Sequence, residues 1–163
     1  MTHPAARPAT STVRQRLSAP GNLLLLGEYA VTEPGGLGVA IGAGPRVHAL
    51  VEGAEDASVV AKMGDREVSW PGESLPLMDA ADSLLAERGH ALPGRRLHID
   101  TSDFFRGDRK LGFGSSAAAT VALAAAMFDE ADSQSVFSTA LAVHRRLQNG
   151  KGSGYDVAAS TFG

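Results

Sequence analysis

The sequence has no cysteine. That absence excludes disulfides, thiolate zinc sites and a cysteine nucleophile, and it fits a cytoplasmic protein. Long apolar runs are missing too. Nothing approaches the roughly 20 residues needed to span a bilayer, and the N-terminus has no signal-peptide-like apolar stretch. Leu23 to Leu26 is a run of only four leucines, the length of a buried strand. Nor is there an excess of positive charge. Fifteen Lys and Arg stand against 18 Asp and Glu, for a net charge of -3. A general nucleic-acid partner is therefore not expected, since phosphate backbones are bound chiefly by Lys and Arg. The five histidines (His3, His48, His90, His98 and His144) are scattered without metal-ligand spacing. His144 reads as a helix-face residue, and the others receive no role.

What remains is a 163-residue chain with 44% hydrophobic and 20% charged residues, the profile of one globular domain. Residues 1–12, rich in Pro, Ala, Ser and Thr, read as a disordered tail. Val13 to Ala19 reads as a strand that Pro20-Gly21 turns into a second strand over Leu23 to Leu26. Pro34-Gly35-Gly36 is a turn. Arg46 to Glu52, Ser58 to Lys62, Glu67 to Trp70 and Arg96 to Thr101 are strand candidates. Trp70 is either core or an adenine contact. Leu75 to Glu87 carries apolar residues at helical spacing and stops at Gly89. Ser102 to Lys110 is a polar loop. Ser115 to Glu130 is a helix so uniformly apolar that it should be buried. Ser135 to Asn149 is an amphipathic helix ended by Gly150. Another helix starts after Gly152. Strands first and then mixed elements indicate an α+β domain.

The richest segment is Lys110-Leu-Gly-Phe-Gly-Ser-Ser-Ala-Ala-Ala-Thr120. A glycine-punctuated turn entering a helix builds an anion site. The glycines admit a phosphate close to the backbone, and the first-turn N–H groups and helix dipole favour negative charge. Ser115 and Ser116 add hydroxyls, and Lys110 adds a cation. The alternative is a plain turn with a serine N-cap. The usual P-loop, Gly-x-x-x-x-Gly-Lys-Ser/Thr, is absent, as is the protein-kinase set of motifs.

Two further segments, Ala19-Pro-Gly-Asn-Leu-Leu-Leu-Leu-Gly-Glu-Tyr-Ala-Val31 and Gly152-Ser-Gly-Tyr-Asp-Val-Ala-Ala-Ser160, complete an ordered set. Taken together, the three segments resemble the GHMP small-molecule kinase superfamily, and most closely its phosphomevalonate kinase branch. The resemblance implies that residues 13–163 form a GHMP kinase N-terminal domain, with a mixed sheet backed by helices. It implies Mg²⁺ and ATP as cofactors. The acceptor would be a small alcohol or phosphorylated alcohol, with a mevalonate or sugar kinase as the alternative. Gly112, Gly114, Ser115, Ser116 and Ala117 would wrap the phosphates with Lys110, and Ser116 would stand near Mg²⁺ and serve catalysis with Asp156. Asp156 is either the proton acceptor or a helix N-cap. Asn22, Glu28, Tyr29 and Ser153 would face substrate. Glu28 is otherwise a partner for a basic residue, and Ser153 a turn-capping hydroxyl.

Asn22 departs from the Lys or Arg that this family usually has there. The family is also about twice as long, with a second, C-terminal domain. The resemblance thus implies a half-enzyme, nearly inactive alone, that joins a separate C-terminal chain or a second copy of itself. The rival reading is a non-catalytic nucleotide-binding or partner-binding module.

Overall fold

The computed structural model describes residues 15–128 and 132–163. The expected tail over residues 1–12, the first residues of the strand from Val13 and the end of the helix expected to reach Glu130 lie outside the described residues.

Seven strands and four α-helices form the described chain. Five strands make one sheet: β1 (Gln15–Leu26), β2 (Val39–Gly53), β3 (Ser58–Met63), β4 (Arg66–Trp70) and, after helix α1 (Pro76–Glu87), β5 (Arg95–Asp100). Their order is β1-β2-β5-β3-β4. All neighbours are antiparallel except β3 and β5, which run parallel and are joined through β4 and α1. The two-residue strands β6 (Phe105–Arg106) and β7 (Arg109–Lys110) form a hairpin. Helices α2 (Ser115–Met127), α3 (Ser133–Leu147) and α4 (Tyr155–Phe162) follow. The expected α+β domain with a mixed sheet backed by helices is the observed one.

The core follows the pleat. Val47, Ala49 and Val51 of β2, Leu97 and Ile99 of β5, and Val59 and Ala61 of β3 alternate inward at period two. The helices cover that face. α2 packs on β1, β2 and β5, with α3 and α4 against it, and α1 packs against α3. α2 is buried nearly all round, as its composition requires, because Ala, Val and Leu occupy every side of it.

Four expectations are corrected. Pro20-Gly21 does not turn the chain, since β1 is one strand whose register against β2 shifts at that point. The irregularity lets the loop before α2 come close. Asn22 N–H donates to the Phe113 carbonyl at 2.9 Å, and a Cβ on Gly21 would stand 2.7 Å from that oxygen. Leu23 to Leu26 is not a buried strand. Leu23, Leu25 and Leu26 are 42%, 50% and 67% exposed: Leu23 and Leu26 pair with Ile41 and Val39 on the face the helices leave bare, and the register shift between Leu24 and Leu26 takes Leu25 out of the ladder. β2 begins at Val39 rather than Arg46, pairing with β1 despite its glycines. The loop from Ser102 contains a 3₁₀ turn over Ser102–Phe104 and the β6–β7 hairpin.

Candidate active site

α2 and α4 start in the same way. Each N-cap is a glycine in the left-handed region, Gly114 (φ 68°) before α2 and Gly154 (φ 82°) before α4, and neither helix has a side-chain cap. Ser115 is therefore the first helical residue rather than the cap, and Asp156 lies in the first turn of α4 rather than at its cap. Neither residue is the N-cap of its helix, although Asp156 Oδ1 accepts from the first-turn Val157 N–H. The N–H groups at the start of α2 are left without a capping side chain, facing the direction in which a helix dipole draws an anion.

Two constraints require glycine at position 114, the left-handed backbone and the space beside it. A Cβ there would overlap the Asn22 carboxamide. Asn22 is buried and donates through Nδ2 to Ser160 Oγ at 3.1 Å and, at 3.4 Å, to the Gly114 carbonyl. One side chain thus ties β1, the glycine loop and α4 together.

These elements enclose a cavity of about 380 Å³, lined by Asn22 to Leu26, Glu28, Gly112, Gly114, Tyr155 and Asp156. Residues far apart in the chain meet here, and all three sequence motifs contribute. A Cβ on Gly112 would project into open space, so its absence keeps that wall clear.

Not every expected residue lines the cavity. Lys110 is exposed on β7, and Ser116 is exposed on the first turn of α2, its carbonyl accepting from Thr120 Oγ1 at 2.8 Å. Ser115 is buried and Ala117 is core. Tyr29 is 83% exposed beside the 3₁₀ turn over Ala30–Thr32, and Ser153 is exposed in the loop before α4. The lining has two carboxylates, Glu28 and Asp156, and no Lys or Arg among the described residues.

Asp156 is held at both oxygens. Oδ1 accepts from the Val157 N–H at 2.9 Å, and Oδ2 lies 3.8 Å from His144 Nε2. The Tyr155 phenol beside it is held above its ordinary pKa, first by burial and then by the Asp156 charge, so it stays neutral on the cavity wall. Sequence reading left Tyr155 and His144 without a role here. Tyr155 could have been found from its place in the glycine motif next to Asp156. His144 had no such signal, because its proximity arises only when α3 packs on α4.

The family model for the GHMP kinases N terminal domain matches residues 77–163, just over half of the chain. The chain belongs to the GHMP kinase family. This GHMP kinase domain is 30% identical to a phosphomevalonate kinase of a Streptomyces species, over 89% of this chain and 46% of that protein. It is also 30% identical to a Saccharolobus solfataricus phosphomevalonate kinase, over 91% of this chain and 47% of that protein. Among solved structures it resembles Streptococcus pneumoniae phosphomevalonate kinase in complex with phosphomevalonate and AMPPNP, with TM-score 0.69 and 26% identity over 90% of this chain and 47% of that chain. The domain spans about half the length of these curated relatives. No helix among the described residues is long and apolar enough to cross a membrane.

Proposed function

We propose that this domain is the N-terminal, ATP-binding half of a cytoplasmic kinase that phosphorylates a small phosphorylated alcohol, with phosphomevalonate the first acceptor to test. The observation that carries the reading is the meeting of the three motifs around one cavity, with Asp156 on its wall. The relatives' names support the acceptor class.

The donor set fits a nucleotide triphosphate in part. Uncapped amides of Ser115, Ser116 and Ala117 offer hydrogen bonds to phosphate oxygens, and the open wall at Gly112 leaves room for them. Mg²⁺, when bound, neutralises charge on the transferred phosphoryl group. Among the described residues no group of three or more His, Asp or Glu is placed to hold a metal. Ser116 and a single carboxylate would therefore hold the ion together with the phosphates, the usual mode for Mg²⁺. Asp156 orients the acceptor's attacking oxygen and takes its proton when that oxygen is a hydroxyl or a still-protonated phosphate. Asn22 ties the phosphate loop to the helix that carries Asp156. Glu28 and Tyr155 bound the acceptor, and Tyr29 and Ser153 border it from outside the cavity. Lys110 supplies positive charge from the hairpin.

One observation favours a second reading. Among the described residues the cavity wall has no Lys or Arg, and Asn22 is neutral and already engaged. On that reading the domain holds nucleotide without turnover. Coupled ADP release with Mg·ATP separates the two when phosphomevalonate, mevalonate, galactose and homoserine are offered to this chain alone and to the chain joined to a C-terminal half. Turnover confined to the joined form, with phosphomevalonate preferred, is the expected result. Turnover of about 1–100 s⁻¹ by the chain alone would overturn the half-enzyme reading, and silence of the joined form with every acceptor would favour the non-catalytic one.

A further inference from the structure

One face of α3 carries Leu141 and His144, with Gln148 at the cap, at the three- and four-residue spacing that aligns side chains along a helix. Each meets a different residue of the segment leading into α4. A Cβ on Gly154 would overlap Leu141, and a Cβ on Gly152 would overlap Gln148. Between them stands His144. Its side chain is only 3% exposed, and its Nε2 lies 3.8 Å from Asp156 Oδ2.

An imidazole is costly in this position. Burying a polar group without a partner costs about 1–3 kcal/mol, whereas an aliphatic side chain would fill the same core without that demand. The partner that His144 finds is the carboxylate on the cavity wall. A carboxylate's terminal torsion is broad and selects no plane by itself. Here a contact at each oxygen selects one: the Val157 N–H at Oδ1 and the imidazole at Oδ2. The distance of 3.8 Å is longer than a hydrogen bond. Such contacts tighten when substrate arrives. Among the described residues no Lys or Arg pairs with Asp156, so the imidazole is the side chain that sets its orientation.

We infer that His144 is a positioning residue for Asp156, holding the carboxylate plane so that its remaining lone pairs face the cavity. This rests on the reading of Asp156 as proton acceptor. The experiment uses the joined enzyme with an alcohol acceptor, or with phosphomevalonate below about pH 6 where its phosphate still carries a proton, and measures single-turnover rate, AMPPNP affinity and thermal midpoint. His144→Ala is expected to slow the rate on the order of tenfold with AMPPNP affinity unchanged. His144→Gln, which keeps an N–H near the Nε2 position, restores most of the rate. In an Asp156→Asn background His144→Ala slows nothing further, because the two act as one unit.

Three results overturn the inference: a wild-type rate in His144→Ala, an independent tenfold loss in the double variant, or a loss of rate matched by a loss of AMPPNP affinity. If the alanine variant does not fold, His144→Leu, which fills the same core without an N–H, replaces it. A tenfold loss there that is absent in His144→Gln supports the inference, and a wild-type rate in the folded leucine variant, or a tenfold loss in the folded glutamine variant, overturns it. Failure of the underlying reading looks different, since Asp156→Asn would then run at the wild-type rate with every acceptor.

Discussion

Asp156 sits one residue inside α4, behind a glycine cap, with one oxygen on the first-turn Val157 N–H and the other free of the helix. Asparagine has the same size and cannot accept the proton. With an alcohol acceptor, Asp156→Asn in the joined enzyme is expected to lower kcat roughly 10²–10⁴-fold with little change in ATP affinity. A phosphate acceptor ionises near pH 6, so with it the loss shrinks at neutral pH and grows in acid. Single-turnover rates against pH for both acceptor types measure this, and wild-type rates throughout would remove Asp156 from catalysis. Gly114 is the second residue on which the site depends. An alanine there meets a left-handed backbone, at a cost of about 1–2 kcal/mol, and it also meets the buried Asn22 carboxamide. Gly114→Ala is expected to destabilise by more than that backbone cost and to weaken AMPPNP binding. Urea unfolding and calorimetric titration on one sample test both, and unchanged stability would mean that the loop relaxes freely.

α3 illustrates how an element is held at both ends. Asp132 caps its start, accepting from the Ser135 N–H at 2.9 Å, and this bond holds the carboxyl below its ordinary pKa. Near its end Arg146 grips Glu87 of α1 through a two-pronged contact, and that hydrogen bond lowers the Glu87 pKa. A carboxyl with a depressed folded pKa contributes stability above its unfolded value, and the contribution is lost as pH falls through the folded value. The unfolded values are about 3.9 for Asp and 4.3 for Glu. The urea midpoint is therefore expected to hold near neutrality and to drop below about pH 4.5. In Asp132→Ala it should start lower and drop less, whereas Asp132→Asn should keep the neutral midpoint, because asparagine caps as well as aspartate. Parallel pH profiles for all three proteins would show that the cap does not titrate with folding.

At the scale of the whole molecule, β1 and β2 present an apolar strip. Leu23 pairs with Ile41 and Leu26 with Val39, and all four are exposed by 42% or more. Phe162 at the end of α4 is also exposed, at 55%. Contiguous exposed apolar surface of this kind marks an interaction site. The chain studied alone is expected to sediment as a dimer or larger species at tens of micromolar (about the range of such experiments). Leu26→Glu should shift it toward monomer, and a clean wild-type monomer would show that the strip is tolerated in water. The same scale bears on the site. A wall that among the described residues has two carboxylates and no Lys or Arg holds polyanions poorly by itself, so Lys110 or a neighbouring domain would have to contribute charge.

Much of this was determined by the sequence alone. Period-two apolar residues in β3 and β5 and the apolar wrapping of α2 specify their elements wherever those segments lie, because burial of a strand face or a whole helix depends on local composition. The glycine loop and the Gly152 to Asp156 turn were legible for a similar reason, since glycine placement constrains the backbone directly. Tertiary structure decided the rest. Only strand pairing turned Pro20-Gly21 from a turn into an irregularity within β1, because β2 supplies the hydrogen bonds that keep the strand extended. Only the one-sided helical layer left Leu23 and Leu26 in water, and only the register shift beside them took Leu25 out of the ladder, since four leucines in a row state neither which face is covered nor where the pairing slips. His144 reached Asp156 because α3 packs against α4, a contact between helices whose side-chain spacing is readable but whose partner is chosen by packing.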